Sequence, residues 1–301
     1  MHKLPRNLNR DKLIDDLRIL SWKSADILLH YGKLLRDGNN KKSLVKSKKN
    51  NEPVTLADLE VNELIIKEIN GKYPEVNWGI LSEENIKNNS DHFNLDWVWI
   101  LDPLDGTKDF IQGTGNYAMH LALNFKNRPY IGIVLIPDRE ELWIADGNRV
   151  WCEKRNGLIL ENNLSFKRNL DDMILVTSRN HRNAVLENLI EKLNFKKVIN
   201  MGSIGCKIAS ILRGESDLYI SLSLPGKTSP KDWDFAAPQA ILFGAGGSIT
   251  NINNEPLSYN AKDFEHEGII VASKSKINHK DICLQIKRKF ESLNISGDTY
   301  Y

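Results

Sequence analysis

Two aspartates, three residues apart, follow an apolar segment near the middle of the chain. The segment is Trp97–Leu101, and the residues after it read Asp-Pro-Leu-Asp-Gly-Thr. A short apolar run is typical of a buried strand, and proline and glycine favour a tight turn after it. A hard divalent cation such as Mg²⁺ prefers oxygen ligands at close range. Asp102, Asp105 and the carbonyl of Leu104 could supply three such ligands.

The end of this turn has features suited to an anion. Gly106 lets another group approach the backbone closely, and Thr107 supplies a hydroxyl. The N–H of Thr107 could also open a helix whose N-terminus favours phosphate. The alternative is a plain surface turn with a helix cap at Asp105 or Thr107. That alternative does not explain why two acids directly follow a buried strand.

Further acids occupy comparable positions elsewhere. Glu83 follows a short apolar strand that ends at Leu81, and Asp234 stands at the start of a predicted helix. Taken singly, an exposed glutamate pair and an N-cap aspartate would explain them. Together with Asp102 and Asp105 they would form a pocket of four carboxylates, which repel one another unless cations lie among them. Two or three Mg²⁺ ions would remove that repulsion and are suited to phosphate chemistry.

A proton acceptor for such chemistry is available close to the turn. Asp58 lies three residues after Thr55, so the pair could simply be a capping box at the start of a helix. Thr107 and Asp58 could alternatively form a hydroxyl–carboxylate relay that takes a proton from water. Both interpretations remain open from the sequence.

Composition excludes several classes of function. The 301 residues contain 41 Lys and Arg against 39 Asp and Glu, so no net field favours nucleic acid or an anionic membrane. No apolar run is long enough to span a bilayer, and the first residues lack the apolar core of a signal peptide. The three cysteines are widely spaced, which predicts reduced thiols and a cytoplasmic location.

The pattern of apolar residues predicts two lobes. Residues 1–170 read as a helix over 11–37 and a second helix that follows Thr55, continues over 59–69 and is ended by Gly71. A mostly antiparallel sheet comes after them. Residues 171–301 alternate strand and helix, which predicts a layered sheet. Residues 41–51 read as a basic, solvated loop, with Lys48 facing an anionic site as the alternative. Asp234 would reach the metal site from the second lobe, which predicts a site in the cleft between lobes.

Four segments, taken in order, resemble the Mg²⁺-dependent, lithium-sensitive inositol monophosphatase superfamily over about the whole chain. They are Pro53–Asp58, Ser82–Glu84, Asp102–Thr107 and Trp233–Ala237. Within that superfamily, three segments are most similar to 3'(2'),5'-bisphosphate nucleotidases of the CysQ type. These segments are Asp105–Phe110, Ser178–His181 and Gly202–Lys207.

The resemblance implies an α/β (α+β) fold, a layered α-β-α-β-α sandwich, and a role for each matching position. The implied Mg²⁺ ligands are Glu83, Asp102, the carbonyl of Leu104, Asp105 and Asp234. Asp58 and Thr107 would activate the water, and Gly106 and Thr107 would hold the phosphate that is cleaved. The nucleotide or its other phosphate would contact the segment containing Ser203 and Lys207, together with His181.

The expected function is hydrolysis of the 3'-phosphate of adenosine 3',5'-bisphosphate, or of the sulfated nucleotide, by a monomer or homodimer. The alternatives are an inositol or sugar monophosphatase, and a catalytically silent binding protein that keeps the fold. Ser221 stands where inositol-specific members carry a glutamate, which argues against inositol. The segment Asn116–His120 also departs from the more usual Glu-Phe-Thr-Val-Asn, and no role is assigned to His120 or His266.

Overall fold

A computed structural model describes residues 4–38, 41–47, 53–85, 95–160, 169–224, 226–261 and 263–293. The elements before residue 170 are α1 (Arg10–Arg36), α2 (Lys41–Leu44), β1 (Val45–Ser47), β2 (Pro53–Thr55), α3 (Leu56–Lys72), β3 (Gly79–Ser82), β4 (Trp97–Asp105), α4 (Thr107–Gln112), β5 (Ala118–Phe125), β6 (Arg128–Ile136), β7 (Glu141–Ala145), β8 (Val150–Lys154) and β9 (Ile159–Leu160). Those after it are β10 (Ile174–Ser178), α5 (Ala184–Leu193), β11 (Lys197–Met201), α6 (Ile204–Leu212), β12 (Leu218–Ser223), α7 (Asp232–Gly244), β13 (Ser248–Asn251), β14 (Gly268–Ser273) and α8 (Lys276–Glu291). Single 3-10 turns occupy Pro5–Asn7, Pro137–Arg139 and Leu170–Asp172.

Within the described residues, the largest sheet has seven strands in the order β3-β4-β5-β6-β7-β8-β9. Strands β3 and β4 are parallel, and every later neighbouring pair is antiparallel. A second sheet has five strands, again counted over the part of the chain that the structure describes, in the order β11-β10-β12-β14-β13. The strands of the first sheet all precede residue 170 and those of the second all follow it, while the division into lobes at that position stays a prediction.

Strand β4 shows how the layers form, because all nine of its residues are buried. Successive side chains of a strand point to opposite faces. Trp97, Trp99 and Leu101 accordingly pack with the apolar residues of α1 and α3. Val98 and Ile100 pack on the other face, in the cluster that contains the apolar residues of α6 and α7. The sheet is therefore covered by helices on both sides.

The same argument places the remaining layers. The apolar residues of α6 and α7 share one cluster with residues of both sheets, so these helices lie between the sheets. Helices α5 and α8 pack on the far face of the five-stranded sheet. The order is helices, sheet, helices, sheet, helices, which confirms the predicted layered α/β fold. None of the helices in the described ranges is long and apolar enough to cross a membrane.

The structure corrects three details of the local prediction. Strand β4 does not end at Leu101, because β5 continues the pairing through a register shift between Asp102 and Asp105. Helix α3 does not end at Gly71, since the N–H of Tyr73 still bonds the carbonyl of Ile69. Residues 41–47 are not a loop but form α2 and β1, and β1 pairs with β2. Lys48 lies outside the described residues.

Candidate active site

Three aspartates from two parts of the chain meet where strand β4 of the seven-stranded sheet ends. Asp102 and Asp105 stand at the end of β4, and Asp234 stands in the first turn of α7. One carboxylate oxygen from each lies within 4.8 Å of the other two. Helix α7 delivers Asp234 to this place because it packs against β4, β5 and β6 in the middle helix layer.

The electrostatics of this cluster disfavour three ionised carboxylates. Burial raises the pKa of Asp102 well above its ordinary value, and the charges of Glu83, Asp105 and Asp234 raise it further. Burial also raises the pKa of Asp234, followed by the charge of Asp105. A divalent cation would reverse this repulsion, because carboxylate oxygens are its preferred ligands. The donor set therefore fits a hard cation.

Glu83 and Leu104 stand next to the three aspartates. Glu83 directly follows β3, and its N–H donates to the carbonyl of Leu101 at 3.1 Å. Its charge acts on both Asp102 and Asp234, although it is not one of the three residues whose oxygens lie within 4.8 Å. The N–H of Leu104 donates to Asp102 Oδ1 at 3.0 Å, which fixes the orientation of that carboxylate.

Thr107 and Asp58 are brought together by α3 and α4. The Thr107 hydroxyl donates to the carbonyl of Leu104 at 3.1 Å and lies 3.5 Å from Asp58 Oδ1. Asp58 Oδ2 accepts from the N–H of Thr55 at 2.7 Å and from its hydroxyl at 2.5 Å. Asp58 is thus both the acid of the capping box and the neighbour of Thr107. Burial raises the pKa of Asp58 to about 7, although the hydrogen bonds from Thr55 lower it.

Gly106 closes the turn between β4 and α4. Its φ is +87°, a left-handed conformation that side-chain-bearing residues rarely adopt. A Cβ at this position would lie 3.0 Å from the carbonyl oxygen of Asn116 and 3.2 Å from the backbone nitrogen of Ser203. The glycine therefore allows the start of α6 to approach the turn that carries Asp105 and Thr107.

The start of α6 holds Asp105 in place. Asp105 Oδ2 accepts from the Ser203 hydroxyl at 2.7 Å, from the N–H of Ile204 at 2.5 Å and from the N–H of Gly205 at 3.4 Å. Ser203, predicted from the resemblance to contact substrate, is buried and also accepts from the N–H of Cys206 at 3.1 Å. In this structure its hydroxyl therefore positions a carboxylate of the cluster.

The other predicted substrate residues differ in exposure. Lys207 is buried, where its ammonium donates to the carbonyl of Gly202 at 2.7 Å and lies 5.5 Å from the centre of the Tyr219 ring. His181 lies on an exposed loop after β10, and its N–H donates to the Ser178 hydroxyl at 3.1 Å. Lys207 is therefore buried, with its charge acting on Asp105 and Asp234, while His181 is exposed.

His120 belongs to the site, although no role was predicted for it from the sequence. Its Nε2 lies 3.3 Å from Asp105 Oδ2, and its Nδ1 lies 3.3 Å from the carbonyl oxygen of Trp233. The side chain is buried, and it connects the strand end of Asp105 with the residue before Asp234. Burial lowers the pKa of His120, while the charge of Asp105 raises it. The unusual segment Asn116–His120 was the sequence signal for this contact.

The chain has relatives among known proteins. Residues 16–289 match the inositol monophosphatase family. The chain belongs to that family. Its curated relatives include the 3'(2'),5'-bisphosphate nucleotidase CysQ of Buchnera aphidicola, 31% identical over 215 residues that cover 71% of this chain and 77% of the relative. The enzyme of the same name from Escherichia coli K12 is 26% identical over 254 residues, covering 83% and 95%.

Solved structures share the fold of this chain. The extragenic suppressor protein SuhB of Bartonella henselae aligns with a TM-score of 0.71 at 20% identity, covering 94% of this chain and all of that one. Inositol monophosphatase II of Staphylococcus aureus aligns with a TM-score of 0.70 at 22% identity, covering 94% and 96%. The resemblance drawn from the four motif segments is thus confirmed, as is the prediction of an enzyme at the level of the family.

Proposed function

We propose that this inositol monophosphatase family protein is a Mg²⁺-dependent phosphomonoesterase that removes the 3'-phosphate of adenosine 3',5'-bisphosphate. The products are AMP and inorganic phosphate, and one water is consumed. The observation that carries the reaction class is the convergence of Asp102, Asp105 and Asp234 beside the Thr107–Asp58 pair. The bisphosphate nucleotidases among the relatives support the choice of substrate.

The carboxylates of the cluster would hold two or three Mg²⁺ ions, with Glu83 and the Leu104 carbonyl as further ligands. Bound Mg²⁺ would supply positive charge against the phosphate oxygens and acidify a water molecule. The protein itself keeps the ligand oxygens fixed: Asp102 accepts from the N–H of Leu104, and Asp105 is held by the start of α6. Fixed ligands reduce the reorganisation needed during phosphoryl transfer.

Thr107 and Asp58 would remove the proton of the attacking water. The Thr107 hydroxyl can donate its one proton to the Leu104 carbonyl at 3.1 Å or to Asp58 Oδ1 at 3.5 Å. When it donates to Asp58, it would pass that proton to the carboxylate and accept the proton of the water in its place. Gly106 and Thr107 would hold the phosphate that is cleaved. His181, Ser203 and Lys207 would contribute to the nucleotide side, Ser203 through its bond to Asp105.

A substrate comparison tests this proposal. Phosphate release is measured with adenosine 3',5'-bisphosphate, the sulfated nucleotide and inositol 1-phosphate, each with Mg²⁺ and with a chelator. We expect the bisphosphate to have the highest kcat/KM and AMP to be its nucleotide product. A higher kcat/KM for inositol 1-phosphate would overturn the substrate, and no turnover of any of the three would favour a binding protein that only keeps the fold.

Inhibition by lithium tests the metal arrangement separately. The family resemblance implies that Li⁺ inhibits at concentrations where Na⁺ does not. Titrating both salts at constant ionic strength controls for general screening of charge. Equal effects of the two cations would contradict the proposed metal arrangement, whatever the substrate is.

A further inference from the structure

Asp109 is a buried carboxylate with three strong partners, and the proposed reaction does not use it. It lies on α4, two residues after Thr107, and its side chain is not exposed. Its Oδ1 accepts from the Thr114 hydroxyl at 2.6 Å and from Arg179 Nη1 at 2.7 Å, and its Oδ2 accepts from Asn180 Nδ2 at 2.8 Å. Burying a carboxylate is costly unless hydrogen bonds satisfy it, as these do.

Two of these partners come from a distant loop. Arg179 and Asn180 lie between β10 and α5, directly before His181. The loop is held at its base as well, because the N–H of Arg179 donates to the carbonyl of Met201 at 3.0 Å. Asp109 therefore joins the helix that begins at Thr107 to the loop that carries His181.

The packing around Asp109 leaves little freedom for movement. A Cβ placed on Gly202 would lie 2.2 Å from Asp109 Oδ2, so this glycine packs directly against the carboxylate. The carbonyl of Gly202 accepts from the ammonium of Lys207. One carboxylate thus fixes three features in relation to each other: the turn of Thr107, the loop of His181 and the start of α6.

We propose that Asp109 is a positioning residue that sets the separation between the reacting phosphate at Thr107 and the loop Ser178–His181. This separation matters for a substrate that extends beyond its phosphate to the loop, and not for a small phosphomonoester. Asp109 and Arg179 therefore determine the preference for a nucleotide bisphosphate over a small substrate. The inference rests on the proposed function.

The test compares two substrates in the variants Asp109→Asn and Arg179→Gln. Both changes remove the ion pair while keeping the side chain able to form a hydrogen bond. We expect the KM for adenosine 3',5'-bisphosphate to rise about tenfold more than the KM for 4-nitrophenyl phosphate, the size of effect typical of a lost charged hydrogen bond. Using Arg179→Gln as well keeps the test open if Asp109→Asn folds poorly.

Glu141→Gln is the matched control. Glu141 is also a buried carboxylate paired with an arginine, because Arg213 Nη1 donates to its Oε2 at 2.7 Å. Arg213 follows the last residue of α6, whereas Ser203 precedes the first. The control therefore removes a similar ion pair at the other end of that helix. We expect Glu141→Gln to lower stability without changing the ratio of the KM values for the two substrates.

The outcomes separate this inference from the proposed function. Suppose that wild-type protein hydrolyses the bisphosphate. If the KM values for the two substrates then rise equally in the variants, or if neither rises, Asp109 is not a positioning residue. If wild-type protein does not hydrolyse the bisphosphate, the proposed function is wrong. In that case, amide hydrogen exchange of Ser178–His181 still tests the loop anchor: faster exchange in Asp109→Asn supports it, and unchanged exchange overturns it.

Discussion

At the scale of single residues, Asp105 has two separable tasks. One oxygen accepts hydrogen bonds from the start of α6, and the carboxylate also faces Asp102 and Asp234. In Asp105→Asn, the amide oxygen can still accept the hydrogen bonds from α6. The amide nitrogen replaces a carboxylate oxygen that is repelled by Asp102 and Asp234. The substitution removes a charge that a hard cation needs.

We therefore expect Asp105→Asn to abolish Mg²⁺-dependent phosphate release without lowering the Tm of the metal-free protein. Thermal unfolding with and without Mg²⁺, together with the phosphatase assay, measures both effects. Asp26→Asn is the control, since Asp26 forms an exposed ion pair with Arg155. Retained turnover, or a Tm that still rises with Mg²⁺ as in wild-type protein, would contradict the assignment of Asp105.

The Thr107 hydroxyl allows a similarly sharp test. Valine has the shape of threonine but no hydroxyl, whereas serine keeps the hydroxyl and loses a methyl group. If the hydroxyl passes a proton to Asp58, Thr107→Val lowers kcat by about a hundredfold or more, the usual contribution of general acid–base catalysis. Thr107→Ser should retain most of the activity. Comparable losses in both variants would show that packing of Thr107, and not its hydroxyl, is what matters.

At the scale of elements, the approach of α6 to the end of β4 depends on Gly106. A side chain there must adopt a left-handed conformation, at a cost of about 1–2 kcal/mol. It must also displace Asn116 or Ser203. We expect Gly106→Ala to lower the Tm and to reduce kcat strongly, because Asp105 and Thr107 flank the shifted turn.

Gly157→Ala separates the two costs. Gly157 has a φ of +83°, and a Cβ there meets nothing within 4 Å. The Gly157→Ala variant therefore has the cost of the left-handed conformation but no steric clash. Its Tm should fall less than that of Gly106→Ala, and its activity should be unchanged. Equal effects on Tm and activity in the two variants would show that the close approach of α6 has no role in the site.

The elements also show how far the sequence predicts the molecule. Periodicity predicted α5 over residues 184–193, where the structure has it, because one apolar face recurs at helical spacing. It did not predict that β4 continues to Asp105, because that extension depends on pairing with β5. The same pairing sets Asp102 opposite His120, so the contact of His120 with Asp105 follows from register. The bond from Ser203 to Asp105 likewise requires a tertiary approach that no local pattern encodes.

At the scale of the whole molecule, folding gathers acids that the unfolded chain keeps apart. The pKa of both Asp102 and Asp234 is raised in the folded protein from an ordinary value of 3.8. Below about pH 4 both carboxyl groups are protonated in the folded and in the unfolded protein, so the raised pKa values do not reduce stability there. The metal-free protein loses stability as the pH rises through the raised pKa values. A bound cation opposes this loss, and it binds the deprotonated carboxylates.

We accordingly expect the rise in Tm caused by Mg²⁺ to grow from pH 5 to pH 8. At a concentration about a hundred times its dissociation constant, Mg²⁺ should add about 2.7 kcal/mol to the free energy of unfolding. Thermal unfolding across this pH range in wild-type protein and Asp105→Asn measures the difference, with Na⁺ at matched ionic strength as the control. Because the effect requires ionised carboxylates brought together by β4 and α7, a shift that is independent of pH, or equal in the two proteins, would mean that Mg²⁺ stabilises the protein elsewhere.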